Sequence, residues 1–220
     1  MFFDPDRGDH GLPFNPFKAC VVPRPIGWIT TLKRNGKVNL APFSQFNLVG
    51  FDPGYLVFSA NTHPPDHAPK HSIENAEREG EFVYNMATWA ARQDVVASSF
   101  LMDSESDDLE ALGLASAPGR NVRTPRLAQA PVAIECRHHT TLLLPGLTPD
   151  TTHRLVVGRV VGVHIDDGAL TAQGRLDVAR LKPLARLGYA DYACVENVFT
   201  IEPREGALSA DTMRKMQGGR

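Results

Sequence analysis

Between Arg24 and Asn47 the chain gathers the groups that could hold a flat aromatic ligand. Ring faces come from Trp28, Phe43 and Phe46, hydroxyls from Thr30 and Ser44, and an amide from Asn47. Rings offer π-surface, while hydroxyl, amide and backbone N–H groups supply the directed contacts that fix an orientation. A second set is imidazole: His63, His67 and His71 recur every fourth residue, which on a helix would line up three metal ligands. Pro64, Pro65 and Pro69 argue against a continuous helix there, so no metal site is assigned. His138 and His139 sit in a strand-like run, point to opposite sides and are read as structural. The three cysteines, Cys20, Cys136 and Cys194, form no C-x-x-C pair and read as reduced thiols. No G-x-G-x-x-G fingerprint occurs.

The elements that must position these groups are mostly strands. Residues 21–32 are β-branched and aromatic and read as a strand, with Ile26, Trp28 and Thr30 on one face. Asn35-Gly36 signals a two-residue hairpin turn, and residues 37–41 return, with Pro42 at an end or an edge. Strands are also expected at 55–60, 81–86, 132–144, 153–165 and 197–201, with Gly158 and Gly162 as bulge points. Short helices are expected from a Ser72 cap to Gly80, across 89–100, and at 108–112 after the acidic run 103–108. Residues 115–130 read as a surface run. Residues 1–20 read as an irregular lead-in packed over something larger. Many strands without regular βαβ alternation indicate a barrel or sandwich, and a single domain spanning 1–220, with its core at about 18–202, is expected.

Composition excludes more than it selects. The 220 residues carry a net charge of −2, with 42% apolar and 22% charged residues, as in an ordinary globular protein. There is no global basic field for nucleic acid. No apolar run reaches the roughly 18–20 residues of a membrane span. The first residues lack the apolar core of a secretory signal, so a cytoplasmic protein is expected.

The ordered series Arg24-Pro25-Ile26-Gly27-Trp28-Ile29-Thr30-Thr31, Asn39-Leu40-Ala41-Pro42-Phe43-Ser44 and Phe46-Asn47 resembles the flavin reductase-like family. Further matches follow in the same order: Asp52-Pro53, Val57-Phe58-Ser59, Lys70 to Ile73, Gly80-Glu81-Phe82-Val83 with Asn85, and Arg186-Leu187-Gly188 with Tyr192. The similarity covers roughly residues 18–200. It implies a mainly β fold, an FMN-binding split β-barrel of Greek-key-like character with a few short helices.

The resemblance also implies a site. The ring of FMN, rather than FAD, is expected against Phe43, Ser44, Phe46 and Asn47. The ribityl chain is expected along Trp28, Ile29 and Thr30. The phosphate is expected near Lys70 and Ser72, with Ser59, Asn61 and Arg24 contributing. Gly188 and Tyr189 would close over the flavin, from the same subunit or its neighbour, since the family is typically homodimeric. The chain departs from the family pattern at His71, where Asp is common, and at Tyr189, where a second glycine is common. The implied activity is NAD(P)H-dependent flavin reduction, with NAD(P)H a transient substrate and free flavin, a monooxygenase or another acceptor taking the electrons. The cofactor carries that chemistry, so no catalytic side chain is assigned. A flavoredoxin-like electron carrier without nicotinamide turnover and a flavin-free binding module are the alternatives.

Overall fold

In the computed structural model, residues 1–62, 68–100 and 103–201 are described. His63, His67 and the polar tail after residue 201 lie outside them. Strands β1 (Arg24–Pro25) and β2 (Gly27–Leu32) are separated at Ile26, and β3 (Val38–Phe43) returns antiparallel with Thr30 opposite Leu40. The turn between them is not the two-residue type. Lys33 N–H donates to Lys37 O at 2.8 Å and Gly36 N–H to Lys33 O at 3.0 Å, and only Gly36 takes a positive φ, 81°. That makes a three-residue loop, in which one glycine supplies the left-handed step.

Strands β4 (Phe46–Phe51) and β5 (Gly54–Asn61) form the next hairpin. Helix α1 (His71–Glu79) precedes β6 (Glu81–Met86), and α2 (Arg92–Ala97) and α3 (Asp108–Leu112) follow. A small ladder, β7 (Ser116–Ala117) with β8 (Arg126–Leu127), leads to two long strands, β9 (Val132–Pro145) and β10 (Thr152–Ile165). Helix α4 (Val178–Leu181), β11 (Leu184–Gly188) and β12 (Asp191–Cys194) complete the order. Seven strands make one antiparallel sheet in the order β3-β2-β6-β9-β10-β5-β4, and β1-β11-β12 make a second. The larger sheet curls on itself, because Phe43 of β3 meets Phe58 of β5 with ring centroids 4.8 Å apart. Phe58 in turn meets Phe82 edge-on at 5.0 Å. Ile29, Leu56, Ile73 and Val156 fill this interior, while Ile26, Trp28, Leu40, Val95 and Leu127 pack the opposite face. Strand β2 is therefore buried on both sides, and Pro42 is tolerated because β3 is an edge strand.

Several expectations change. Residues 46–51 form a strand that their pattern hides, because Leu48, Val49 and Phe51 are exposed. Residues 89–100 break into three short helical turns. Residues 197–201 pair with no strand, and Val198, Phe199 and Ile201 are exposed. Lys70, not Ser72, is the N-cap of α1, without a side-chain bond, while Gly80 closes the helix at φ 70° as expected. The register shifts of β10 fall at Gly158 and Gly162, where the glycines predict them. The run 115–130 lies over the barrel but sinks Val122, Thr124 and Leu127 into it.

One buried ammonium fastens the acidic loop. Lys33 Nζ donates to Asp103 O, Ser106 O and Asp108 Oδ1, each at 2.7 Å. Asp108 Oδ2 accepts Leu40 N–H at 2.7 Å, and Asp107 Oδ2 accepts Val38 N–H at 2.8 Å. Asp107 also caps α3 through Leu109 and Glu110 N–H. Every polar group that enters the interior here finds a partner, which offsets the cost of removing it from water.

Candidate functional site

The exit of β3 and the end of β5 meet at a cleft with two adjoining chambers that share Pro42 and Ser44. One, about 220 Å³, is lined by Lys18, Pro42, Phe43, Ser44, Gln45, Ser59, Ala60, Asn61 and Lys70. The other, about 160 Å³, is lined by Ile26, Pro42, Ser44, Ser99, Arg186 and Tyr192. Gln45 O accepts Ser59 N–H at 2.9 Å, which holds the two strand ends together. The Phe43 ring is 4% exposed and belongs to the core, so it forms the floor of the cleft. Lys70 Nζ stands 6.0 Å from that ring's centroid.

Of the residues expected at a flavin, this cleft brings together Phe43, Ser44, Ser59, Asn61 and Lys70. Lys18 and Gln45 also line it and escaped the sequence reading, since nothing local marks Lys18 until the chain folds back. Asn61 Oδ1 meets His153 Nδ1 at 2.6 Å. Among the described residues, neither Lys18 nor Lys70 forms a salt bridge. Two cations without a salt bridge among the described residues, beside a patch of hydroxyls and amides, suit a dianionic phosphate carried by a polar ring system. The donor set therefore fits FMN.

Other expected residues are used elsewhere. Trp28 is 1% exposed and its Nε1–H donates to Ser98 Oγ at 2.9 Å, so the indole is a core group. Thr30 is wholly buried, and its hydroxyl donates to Pro125 O at 2.7 Å. Ile29 is core as well. Their side chains are taken by the core, and their strand lies between β3 and β6. Ser72 is buried and its Oγ accepts from Asn39 Nδ2 at 2.8 Å, which ties α1 to β3. Phe46 stacks on Tyr84, centroids 4.8 Å apart, and burial pushes the Tyr84 hydroxyl up to about 12. Asn47 is exposed and its Oδ1 accepts Leu48 N–H at 2.9 Å. Arg24 donates through Nη1 to Lys18 O, to Val21 O at 2.8 Å and to Leu187 O at 3.2 Å, so it clamps the lead-in.

Gly188 is where the lead-in touches down. A Cβ there would lie 2.6 Å from Ala19 Cβ, so only glycine admits the approach. Tyr189 follows at φ 50°, a left-handed conformation that favours glycine, with its ring edge-on to Phe14 at 6.1 Å. Arg186 donates to Tyr189 O and lies 4.4 Å from the Tyr192 ring. Gly188 and Tyr189 thus stand beside the cleft and cover the lead-in of their own chain. Among the described residues no group of three or more His, Cys, Asp or Glu side chains could hold a metal.

The profile of the flavin reductase like domain matches residues 19–190. The chain belongs to the flavin reductase-like family. It is 32% identical over 184 residues to the uncharacterised protein YwrF of Bacillus subtilis, covering 83% of this chain and 89% of that one. It is 29% identical over 202 residues to an uncharacterised protein of Halalkalibacterium halodurans, covering 92% and 96%. Among solved structures it resembles nitrilotriacetate monooxygenase component B from Bacillus cereus, with a TM-score of 0.82, 24% identity and coverage of 91% and 98%. It also resembles the 2-nitrobenzoate 2-nitroreductase NbaA of Pseudomonas fluorescens, with TM-score 0.73, 25% identity and coverage of 88% and 91%. The flavoredoxin of Desulfovibrio vulgaris matches with TM-score 0.70 and 17% identity over 86% and 94% of the two chains. The mainly β fold is that of the split-barrel flavin reductases, and membership assigns the chain a flavin oxidoreductase type of function. No helix of the described residues is long and apolar enough to cross a membrane.

Proposed function

We propose that this chain is an FMN-dependent, NAD(P)H-oxidising flavin reductase that hands electrons to free flavin or to a partner monooxygenase, as a cytoplasmic homodimer. The observation that carries the reading is the double cleft on the family stretch, with Lys18 and Lys70 unpaired among the described residues at one chamber and Arg186 and Tyr192 at the other. Bound FMN would supply the hydride-accepting chemistry. The chain's own part is to bind and orient it. Lys18 and Lys70 would take the phosphate, Ser44, Gln45, Ser59 and Asn61 the polar edge of the ring, and Phe43 would keep the floor dry. The monooxygenase partner is supported by the likeness to a monooxygenase component B. An absorbance spectrum of the purified protein, followed by NADH and NADPH oxidation with added FMN, tests the reading. Turnover with either nucleotide is expected.

The flavoredoxin-like reading, an electron carrier without nicotinamide turnover, draws on Tyr189. Its ring meets Phe14 and its carbonyl accepts from Arg186, which lines the second chamber, so the ring would obstruct a nicotinamide if that chamber is its route. A tightly bound yellow cofactor that neither nucleotide reduces would establish this reading and remove the reductase. Gain of turnover in Tyr189→Gly would identify the ring as the obstruction.

A further inference from the structure

A second cavity lies at the far end of β10 from the cleft. His153, opposite Asn61, and His164 are about 35 Å apart along the strand, at about 3.3 Å per residue. This cavity is about 550 Å³ and is lined by residues of the 120–130 run, including Arg120, Asn121 and Arg126, and by Gly162 to Asp166. We propose that it binds a small organic anion bearing a carboxylate or a phosphate, independently of the flavin site.

The argument starts from four neighbouring arginines with two fates. Arg123 pairs with Glu79 at 2.8 Å and Arg137 with Glu81 at 3.1 Å. Arg120 and Arg126, the two that line the cavity, form no salt bridge or side-chain hydrogen bond among the described residues. Arg126 Nε is enclosed from solvent and has no partner among the described residues. Arg24 and Arg154 share that feature, but each spends another guanidinium nitrogen on a bond, on Val21 O and on Glu77 respectively. An enclosed guanidinium edge without an acceptor is costly unless an acceptor arrives. A forked cation matches carboxylate or phosphate oxygens.

The walls are built to stay open. Glu135, wholly buried beneath the cavity, accepts Arg120 N–H and Asn121 N–H at 2.7 Å each and meets His164 Nε2 at 2.5 Å. The carboxylate thereby fixes the loop that carries Arg120 and is itself fully engaged. Asn121 Nδ2 donates to Val161 O at 2.7 Å, at the bulge of β10. Gly162 leaves the floor low: a Cβ there would lie 3.0 Å from Glu135 Oε2 and 3.1 Å from Asn121 Nδ2. Asp166 is the carboxylate on the rim, and its Oδ1 already accepts Gly168 N–H at 2.7 Å. That bond leaves the carboxylate its charge, so the lining sets two guanidiniums against one carboxylate. Its volume falls within the range of about 300–1,000 Å³ usual for small-molecule sites.

Titration calorimetry of the full chain at fixed ionic strength, with and without saturating FMN, tests this with inorganic phosphate, pyrophosphate and succinate. At least one probe is expected to bind. Its affinity should fall tenfold or more in Arg126→Gln and in Arg120→Gln, and should be unchanged by FMN or by Lys70→Gln. Preference for pyrophosphate or for succinate tells phosphate from carboxylate recognition. Arg120 is exposed, so its variant is expected to fold, and circular dichroism checks both. No binding of any probe, or binding that FMN or Lys70→Gln abolishes while both arginine variants retain it, would overturn the proposal. Neither outcome depends on whether the flavin cleft turns over nicotinamide.

Discussion

At the mouth of the cleft, Ser44, Gln45, Ser59, Lys18 and Lys70 make no side-chain hydrogen bond among the described residues. Beneath the 120–127 run, the buried carboxylates and amide are used, Arg126 Nε being the exception. Glu81 accepts Arg123 N–H and Thr124 N–H at 2.8 Å each, and Arg137 Nη1 at 3.1 Å. Asn85 donates to Trp28 O at 3.1 Å and accepts Leu127 N–H at 2.8 Å. The two regions hold similar residue types, and the difference lies in accounting for partners. Polar groups that are satisfied within the chain hold the barrel shut, whereas those left open around a hollow are available to a ligand. The contrast moves the Trp28 and Thr30 side chains to the scaffold and adds Lys18 and Gln45 to the candidate site.

The largest expected break in that contrast is Glu81→Ala, which strands two backbone N–H groups and a guanidinium. A loss of about 3 kcal/mol is expected, or a Tm lower by about 6–12 °C at 2–4 °C per kcal/mol for a chain of this size. FMN affinity should stay within about twofold, because the change lies outside the cleft; thermal unfolding and FMN titration measure the two sides. Lys70→Ala should do the reverse. It should weaken FMN by about 1.5–3 kcal/mol through loss of a charge-assisted contact while leaving Tm and riboflavin binding alone. Equal weakening of both ligands would show that Lys70 does not read the phosphate. Lys18→Ala should act in the same direction by less.

A third prediction uses pH. Burial opposes ionisation of Glu135, but the His164 bond and the two backbone N–H donors outweigh it and hold its carboxyl below the ordinary 4.5. A carboxyl depressed in the fold contributes stability above its unfolded value and loses it as pH falls through the folded one. Tm should therefore drop as pH is lowered below about 4.5, and Glu135→Gln should flatten that part of the profile. The smallest effect is expected for Ser44→Ala. It removes an unbonded hydroxyl, so stability should hold, while FMN affinity falls by about 0.5–1.5 kcal/mol.

The sequence carried the fold further than the site. Strand β6, the bulges at Gly158 and Gly162 and the Asp107-capped helix α3 follow from local chemistry. Strand β4 does not, because its apolar side chains face outward and leave no alternation to detect. For the site, residue type was readable and direction was not. Strand β2 is buried on both faces, so period-two alternation could not tell Trp28's side from Ile29's. The resemblance pointed to a segment but could not say which of its side chains the core takes. Glu81 and Glu135 left a weak signal: each is an acid in a run of apolar strand residues, where an ionised group must find partners inside.

The clamp at Arg24 has a consequence for synthesis. Its guanidinium bonds Lys18 O and Val21 O on one side and Leu187 O on the other, across 163 positions of chain. Ala19 then needs Gly188 to settle against. On the ribosome the strand ends that form the cleft's floor emerge early, but the lysine at its lip has no seat until β11 has left the exit tunnel. The cleft is therefore among the last parts of the barrel to be finished, although Lys18 is made before any of its strands.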